Sequence, residues 1–160
     1  STDKHKFMVI GAATLSEEDS VQRLANAYRR AALKVKGLPI YNPTIAVEAV
    51  GFREHEGRQV GVIVTPWFMN LTVLPSEADL KTWLAGRSTM IGFPSGAYEF
   101  TVTDLPEVGL VATCSLFSTM LDFTDHEAAQ LAAQTVADAV FEPEQPAPSP
   151  SVSRRQLLGG

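Results

Sequence analysis

The chain has 160 residues, the size of one domain that buries roughly 70% of its unfolded surface and needs no disulfide or metal for stability. Hydrophobic residues make up 45% and charged residues 19%, which excludes a disordered or membrane-embedded protein. The formal net charge of −5 argues against a nucleic-acid-binding protein, because such a protein presents a basic face.

The first predicted element is an amphipathic helix. Ser16-x-x-Asp19 matches a capping box, and apolar residues recur at helical spacing from position 21 to position 35. Gly37 predicts the end of the helix, because glycine suits the position after the last turn. Residues 1–15 are predicted to form an N-terminal arm. Their short apolar run, followed by acidic residues, indicates an unexported chain.

The middle of the chain is predicted to form a sheet. Residues 44–52 alternate with a period of two around an irregularity at Gly51, and residues 60–64 are a β-branched run after a turn at residues 55–58. These two segments predict a hairpin, and residues 68–74 predict a third strand. Further strands are predicted at residues 89–93, 97–102 and 110–116.

A second helix and a tail are predicted after the sheet. Thr124-x-x-Glu127 matches a capping box before an amphipathic segment. Residues 142–160 are rich in proline and serine, so they are predicted to be a flexible tail to a domain of residues 16–141. Five or six mostly antiparallel strands between two helices indicate a single α+β domain. Both helices are predicted to cover one face of the sheet.

Residue types that carry catalytic or metal chemistry are sparse. His5, His55 and His126 lie at spacings that fit no metal site, and one cysteine cannot build a thiolate site. The sequence has neither a nucleotide-binding glycine motif nor a nucleophile elbow. The sequence therefore predicts a protein without catalytic residues, metal or cofactor.

Cys114 is the one candidate nucleophile. A reactive cysteine needs a base or a positive field nearby, whereas the alternating pattern places Cys114 on one strand face with Leu110, Ala112 and Leu116. This pattern favours a buried strand cysteine that packs as a small apolar residue. A single cysteine also indicates a reducing compartment.

The segment Thr65-Pro-Trp-Phe-Met-Asn-Leu71 combines adjacent aromatic residues. Neighbouring strand residues point to opposite faces, so Trp67 and Phe68 cannot enter the same core layer. Either both faces of the sheet are covered, or one aromatic side chain stays at the surface. An exposed aromatic ring beside Met69 would suit peptide docking.

The C-terminal segment Ser153-Arg-Arg-Gln-Leu-Leu158 resembles the twin-arginine export motif. It is not expected to act as an export signal here, because only Gly159 and Gly160 follow it and no hydrophobic segment is present. A chance match in a basic tail is the alternative interpretation.

Several of these segments resemble the HybE/HupJ family of [NiFe]-hydrogenase assembly chaperones. The specific block is residues 61–71, GVIVTPWFMNL, preceded by residues 48–53, EAVGFR. Residues 93–96, FPSG, and residues 114–118, CSLFS, are similar to later blocks of the family. The terminal paired arginines resemble its C-terminal twin-arginine element.

The resemblance implies a cytoplasmic chaperone, not an enzyme, with no cofactor and neither nucleic-acid binding nor membrane insertion. Its implied partners are hydrogenase precursor subunits, including the small subunit with its twin-arginine signal, and other maturation proteins. The chaperone would delay export until cofactor assembly is complete. The client-binding candidates are Thr65, Pro66, Trp67, Phe68, Met69, Leu71, Cys114, Leu116 and Phe117.

The tail suggests a further hypothesis. If the domain binds twin-arginine signals, its own motif could occupy the same groove, because a flexible linker raises the effective concentration of the motif. The tail residues concerned are Arg154, Arg155, Leu157 and Leu158.

Two other functions remain open at this point. One is a redox-active or oxygen-protective accessory protein of hydrogenase assembly that acts through Cys114. The other is a structural subunit of a maturation complex without a client of its own.

Overall fold

The computed structural model describes residues 3–143, and the side chains of residues 19–143. Within this part of the chain, six strands form one sheet in the order β1-β2-β3-β6-β5-β4, with every neighbouring pair antiparallel. The elements are α1 (Asp3–Val35), β1 (Glu48–His55), β2 (Arg58–Val64), β3 (Met69–Leu74), α2 (Glu77–Thr82), β4 (Ser88–Phe93), β5 (Gly96–Leu105), β6 (Gly109–Phe117) and α3 (His126–Ala139). The predicted single α+β domain with an N-terminal and a C-terminal helix is confirmed.

Helix α1 begins earlier than predicted. It starts at Asp3, so the Ser16 capping-box motif lies inside the helix and not at its start. Asp19 accepts a hydrogen bond from Arg23 one turn later, at 3.0 Å. The predicted end is close to the observed one, and Gly37 has a φ of +94°, the left-handed conformation that favours glycine after a helix.

The two long helices lie on opposite faces of the sheet, which corrects the prediction that both cover one face. On β2, Val60, Val62 and Val64 join the larger core together with α3, whereas Ile63 joins a smaller core with Leu24 of α1. Alternate strand residues point to opposite faces, so this run of consecutive buried residues requires cover on both sides.

The sheet curls around the larger core. Strands β1 and β4 are its two edges, yet the ring centroid of His55 on β1 lies 5.6 Å from that of Phe93 on β4. Phe141, just after α3, lies 5.1 Å from His55 and fills the space between the edges. Arg53 stacks over Phe141 at 3.9 Å and donates a hydrogen bond to the Ala137 carbonyl, so it stabilises the C-terminal end of α3.

Helix α3 begins one residue later than the predicted Thr124 cap. Asp125 is the N-cap residue, and its side chain accepts a hydrogen bond from the Ala128 amide at 2.9 Å. Both residue types are good caps. A tertiary contact accompanies this choice, because the His126 ring lies 2.7 Å from the Glu48 carboxylate of β1.

Helix α2 begins with a capping box that the sequence analysis missed. The Ser76 hydroxyl accepts a hydrogen bond from the Asp79 amide, and the Asp79 carboxylate accepts one from the Ser76 amide. Arg58 at the start of β2 donates two hydrogen bonds to the same carboxylate, at 2.7 and 2.9 Å. Asp79 is 5% exposed, so this pair fastens α2 to the β1–β2 hairpin.

Candidate functional site

The segment with adjacent aromatic residues forms a tight turn between β2 and β3. The predicted strand at residues 68–74 begins one residue later, at Met69, so Trp67 and Phe68 lie in the turn. The Thr65 hydroxyl accepts hydrogen bonds from the Trp67 and Phe68 amides at 3.1 and 2.9 Å. The Thr65 amide donates to the Phe68 carbonyl at 2.9 Å. Thr65 is fully buried, so the turn is held by its own side chain.

The two aromatic residues of the turn are both half-buried. The Phe68 ring packs against Tyr28 of α1, with the ring centroids 5.5 Å apart. The Trp67 ring lies next to Phe68 at 5.4 Å. Burial raises the pKa of Tyr28 above its ordinary value, which agrees with an apolar environment around its ring. Phe68 therefore supports the smaller core, and Trp67 retains a partly exposed surface.

The other predicted client-binding residues are mostly buried. Pro66, Met69, Leu71 and Cys114 are buried, and the last three belong to the larger core. Leu116 and Phe117 are half-buried at the end of β6. The predicted tail motif at residues 153–158 lies outside the described residues.

Asn42 links three segments at this end of the sheet. Its backbone amide donates a hydrogen bond to the Pro66 carbonyl at 2.9 Å. Its side-chain nitrogen donates to the carbonyls of Met120 and Phe123 at 2.8 and 3.0 Å. Its side-chain oxygen accepts from the amide and hydroxyl of Thr44. From the sequence, Asn42-Pro43 predicts a turn, but the contacts of Asn42 with Pro66, Met120 and Phe123 have no local signal.

Each segment that Asn42 joins carries an apolar side chain near the bonded residue. Ile40 is 48% exposed, Leu121 is 54% exposed, and Trp67 is half-buried. We call these three residues the Trp67 surface. Large apolar side chains exposed on adjoining segments are typical of a protein-docking surface.

Replacing Asn42 should loosen the Trp67 surface. We expect Asn42→Ala to lower the free energy of unfolding by about 2 kcal/mol, because it leaves buried carbonyl groups without donors. Chemical denaturation measures this change. Asn26→Ala is the control, because Asn26 is exposed and accepts one hydrogen bond from Arg29. Equal stability of both variants would show that Asn42 does not organise these segments.

The described residues show no clustered metal ligands. No group of three or more His, Cys, Asp or Glu side chains within that part of the chain is placed to hold a metal ion. Cys114 is 9% exposed and packs in the larger core, as the alternating pattern indicated. No helix in the described part of the chain is long and apolar enough to span a membrane.

The sequence and the fold are similar to those of known proteins. The family model described as [NiFe]-hydrogenase assembly, chaperone, HybE, matches residues 19–160. The chain is 39% identical over 163 residues to the hydrogenase expression/formation protein HupJ of Bradyrhizobium diazoefficiens, with 94% of this chain and 95% of that protein covered. The fold is similar to the solution structure of HybE from Escherichia coli, with a TM-score of 0.59, 18% identity, and 81% of this chain and 85% of that chain covered.

A further relative carries a redox name. The chain is 42% identical over 112 residues to a protein named probable rubredoxin HupJ of Rhodobacter capsulatus, and the match covers 69% of this chain but 40% of that protein. Tetrahedral iron sites of this kind use several thiolate ligands, whereas this chain contains one cysteine. The name therefore gives no support to iron chemistry in this chain.

Proposed function

Because the chain belongs to the HybE family of [NiFe]-hydrogenase assembly chaperones, we propose that it binds hydrogenase precursor subunits in the cytoplasm. The foremost client in this proposal is the small subunit with its twin-arginine signal, held until its cofactors are assembled. The chain acts by binding and not by catalysis.

The observation that carries this proposal is the Trp67 surface. Tryptophan and large apolar residues contribute much of the binding energy at protein interfaces, especially where the free surface is already ordered. The Thr65 hydroxyl and Asn42 hold the segments of this surface in place before any client arrives. A preorganised apolar surface of this kind suits an apolar segment of an incompletely assembled protein.

The buried candidates have a supporting role in this proposal. Met69 and Leu71 are 0% and 1% exposed, so they stabilise the larger core and do not themselves reach a client. Phe117 packs against Phe123 at 5.2 Å, beside the segment that carries Leu121.

Replacing the exposed tryptophan tests the proposal. We expect Trp67→Ala to weaken binding of a purified small-subunit precursor by at least about tenfold, because truncating a hot-spot tryptophan costs about 2 kcal/mol or more. Calorimetric titration of the precursor measures the affinity, and thermal melting verifies that the variant is folded.

The matched control is Leu131→Ala, which removes a 70% exposed apolar side chain from α3, on the face of the sheet opposite α1. Its affinity for the precursor should equal that of the parent chain. Binding at the Trp67 surface would be contradicted if the affinity is unchanged in Trp67→Ala and also in a double variant that combines Ile40→Ala with Leu121→Ala.

A further inference from the structure

Strand β4 has a free edge. It is the last strand in the sheet order, and within the described residues no backbone group beyond β5 is hydrogen-bonded to residues 88–93. A strand in this position presents unpaired N–H and C=O groups that another extended chain can pair with. A segment that pairs with this free edge must therefore be in an extended conformation.

The register shows which backbone groups face outward. Phe93 precedes the two-residue turn to β5, and residues that flank such a turn form a hydrogen-bonded pair. At the other end of β4, the Val102 amide donates a hydrogen bond to the Arg87 carbonyl at 2.9 Å, which places the hydrogen-bonded pairs at the same alternate residues. Because hydrogen-bonded pairs alternate, the N–H and C=O groups of Met90 and Gly92 point away from β5.

The opposite edge of the sheet is protected along its length, whereas β4 is covered at its Phe93 end, where His55 and Phe141 pack beside it. Strand β1 has a register break after Val50, carries the exposed charges Arg53 and Glu54, and packs against α3. Strand β4 reads Ser-Thr-Met-Ile-Gly-Phe, with no charge, no proline and no break in register. Proteins commonly protect edges with these devices, and their absence along residues 88–92 leaves that part of β4 available to a partner strand.

The side chains beside β4 define the chemistry of that partner. Met90 is 64% exposed on one face of the strand. Leu84 is 61% exposed and lines a cavity of about 260 Å³ together with Thr89. A paired segment would place its own side chains against both residues. Glu99 of β5 lies opposite Met90 and is exposed. A basic residue of the partner segment near Met90 is therefore more favourable than an acidic one.

We propose that β4 binds an extended, largely apolar segment of a hydrogenase precursor by backbone pairing, as a seventh strand of the sheet. This inference rests on the proposed function and adds a second contact for the same client. Strand β4 lies three strand spacings from β3, about 14 Å along the sheet. One unfolded segment can therefore reach both β4 and the Trp67 surface.

A proline at the outward-facing position tests backbone pairing. Met90→Pro removes an N–H group that is not bonded to β5, and proline is tolerated on edge strands. Met90→Thr is the matched control, because it also loses the methionine side chain but keeps the N–H group and favours a strand. With the small-subunit precursor as the probe, we expect Met90→Pro to bind at least about tenfold more weakly, and Met90→Thr within about threefold of the parent.

Hydrogen exchange on the parent chain provides a second readout that does not depend on a variant. The amides of Met90 and Gly92 should exchange more slowly once the precursor is bound. Parent-like binding by Met90→Pro, equal losses in both variants, or unchanged exchange at these amides would overturn the pairing. Slow exchange of these amides in the isolated chain would overturn the pairing in two further cases. If dilution makes the exchange faster, a second copy of the chain occupies the edge. If deletion of residues 144–160 makes it faster, the chain's own C-terminal segment occupies the edge.

The results also separate the two proposals. If Met90→Pro binds normally while Trp67→Ala does not, the β4 inference fails and the proposed function stands. If the parent chain does not bind the precursor, both fail.

Discussion

The Asp79→Ala variant should lose about 3 kcal/mol of stability at pH 7, because it leaves the half-buried Arg58 guanidinium without its partner. It also removes one half of the capping box with Ser76, and with it the anchor of α2. A loss of this size is a large fraction of the stability of an ordinary domain. Urea denaturation at pH 7 measures it.

The ion pair between Arg58 and Asp79 also predicts how the free energy of unfolding depends on pH. Burial raises the pKa of Asp79, but hydrogen bonds from Arg58 and Ser76 outweigh it and hold that pKa below its ordinary value. The hydrogen bond to Asp79 raises the pKa of Arg58 despite partial burial. A lowered carboxyl pKa stabilises the fold fully above the unfolded value of about 3.9, and this stability is lost as the pH falls through the folded value. The difference between parent and Asp79→Ala should therefore shrink below about pH 4.

Glu77→Ala is the matched control for this experiment. Glu77 lies in the first turn of the same helix and is exposed, so its loss should change the free energy of unfolding by no more than about 0.5 kcal/mol. A difference between parent and Asp79→Ala that stays constant from pH 7 to pH 3 would contradict the ionic contribution of Asp79.

The Gly61→Ala variant should lose about 2–3 kcal/mol through overpacking. Gly61 lies opposite the bulge at Gly51 and Phe52, and the Phe52 ring folds over it. A β-carbon at Gly61 would lie 2.4 Å from the base of that ring and 2.8 Å from the Phe52 α-carbon. Relief therefore requires movement of the β1 backbone, which also packs against α3. Thermal and urea unfolding measure the loss.

Gly92→Ala is the control for this variant. A β-carbon at Gly92 would meet nothing within 4 Å, and its φ is not in the left-handed region. We expect its stability to stay within about 0.5 kcal/mol of the parent. Comparable losses in both glycine variants would show that contact with Phe52 is not the cause of the loss in Gly61→Ala.

The strands were predictable because their signals are local. The alternation around Gly51, the turn at residues 55–58 and the β-branched run at residues 60–64 each lie within a few residues of one another. The bulge predicted at Gly51 is confirmed by the register shift between Val50 and Arg53. The start of α3 was less accurate, since Thr124 and Asp125 are both competent caps and the contact of His126 with Glu48 accompanies the observed choice.

The candidate site was predictable only in part. The turn at residues 65–68 stood out through its adjacent aromatic residues, and the client-binding role of its members stays a prediction. The association of Ile40 and Leu121 with this turn was missed, because it depends on hydrogen bonds of Asn42 that span as many as 81 residues of sequence. The free edge of β4 was missed too, because strand order is set by long-range pairing.

The sequence by itself determined the family, the single α+β domain and the Trp67 segment, since composition, periodicity and motif blocks are properties of contiguous residues. Only the tertiary structure decided that α1 and α3 lie on opposite faces, that Trp67 is half-buried while Met69 and Leu71 are buried in the larger core, and that β4 is an edge strand with an open segment. The physical reason is the same in each case. Burial and edge position depend on which distant segments pack or pair together, and local patterns do not specify those partners.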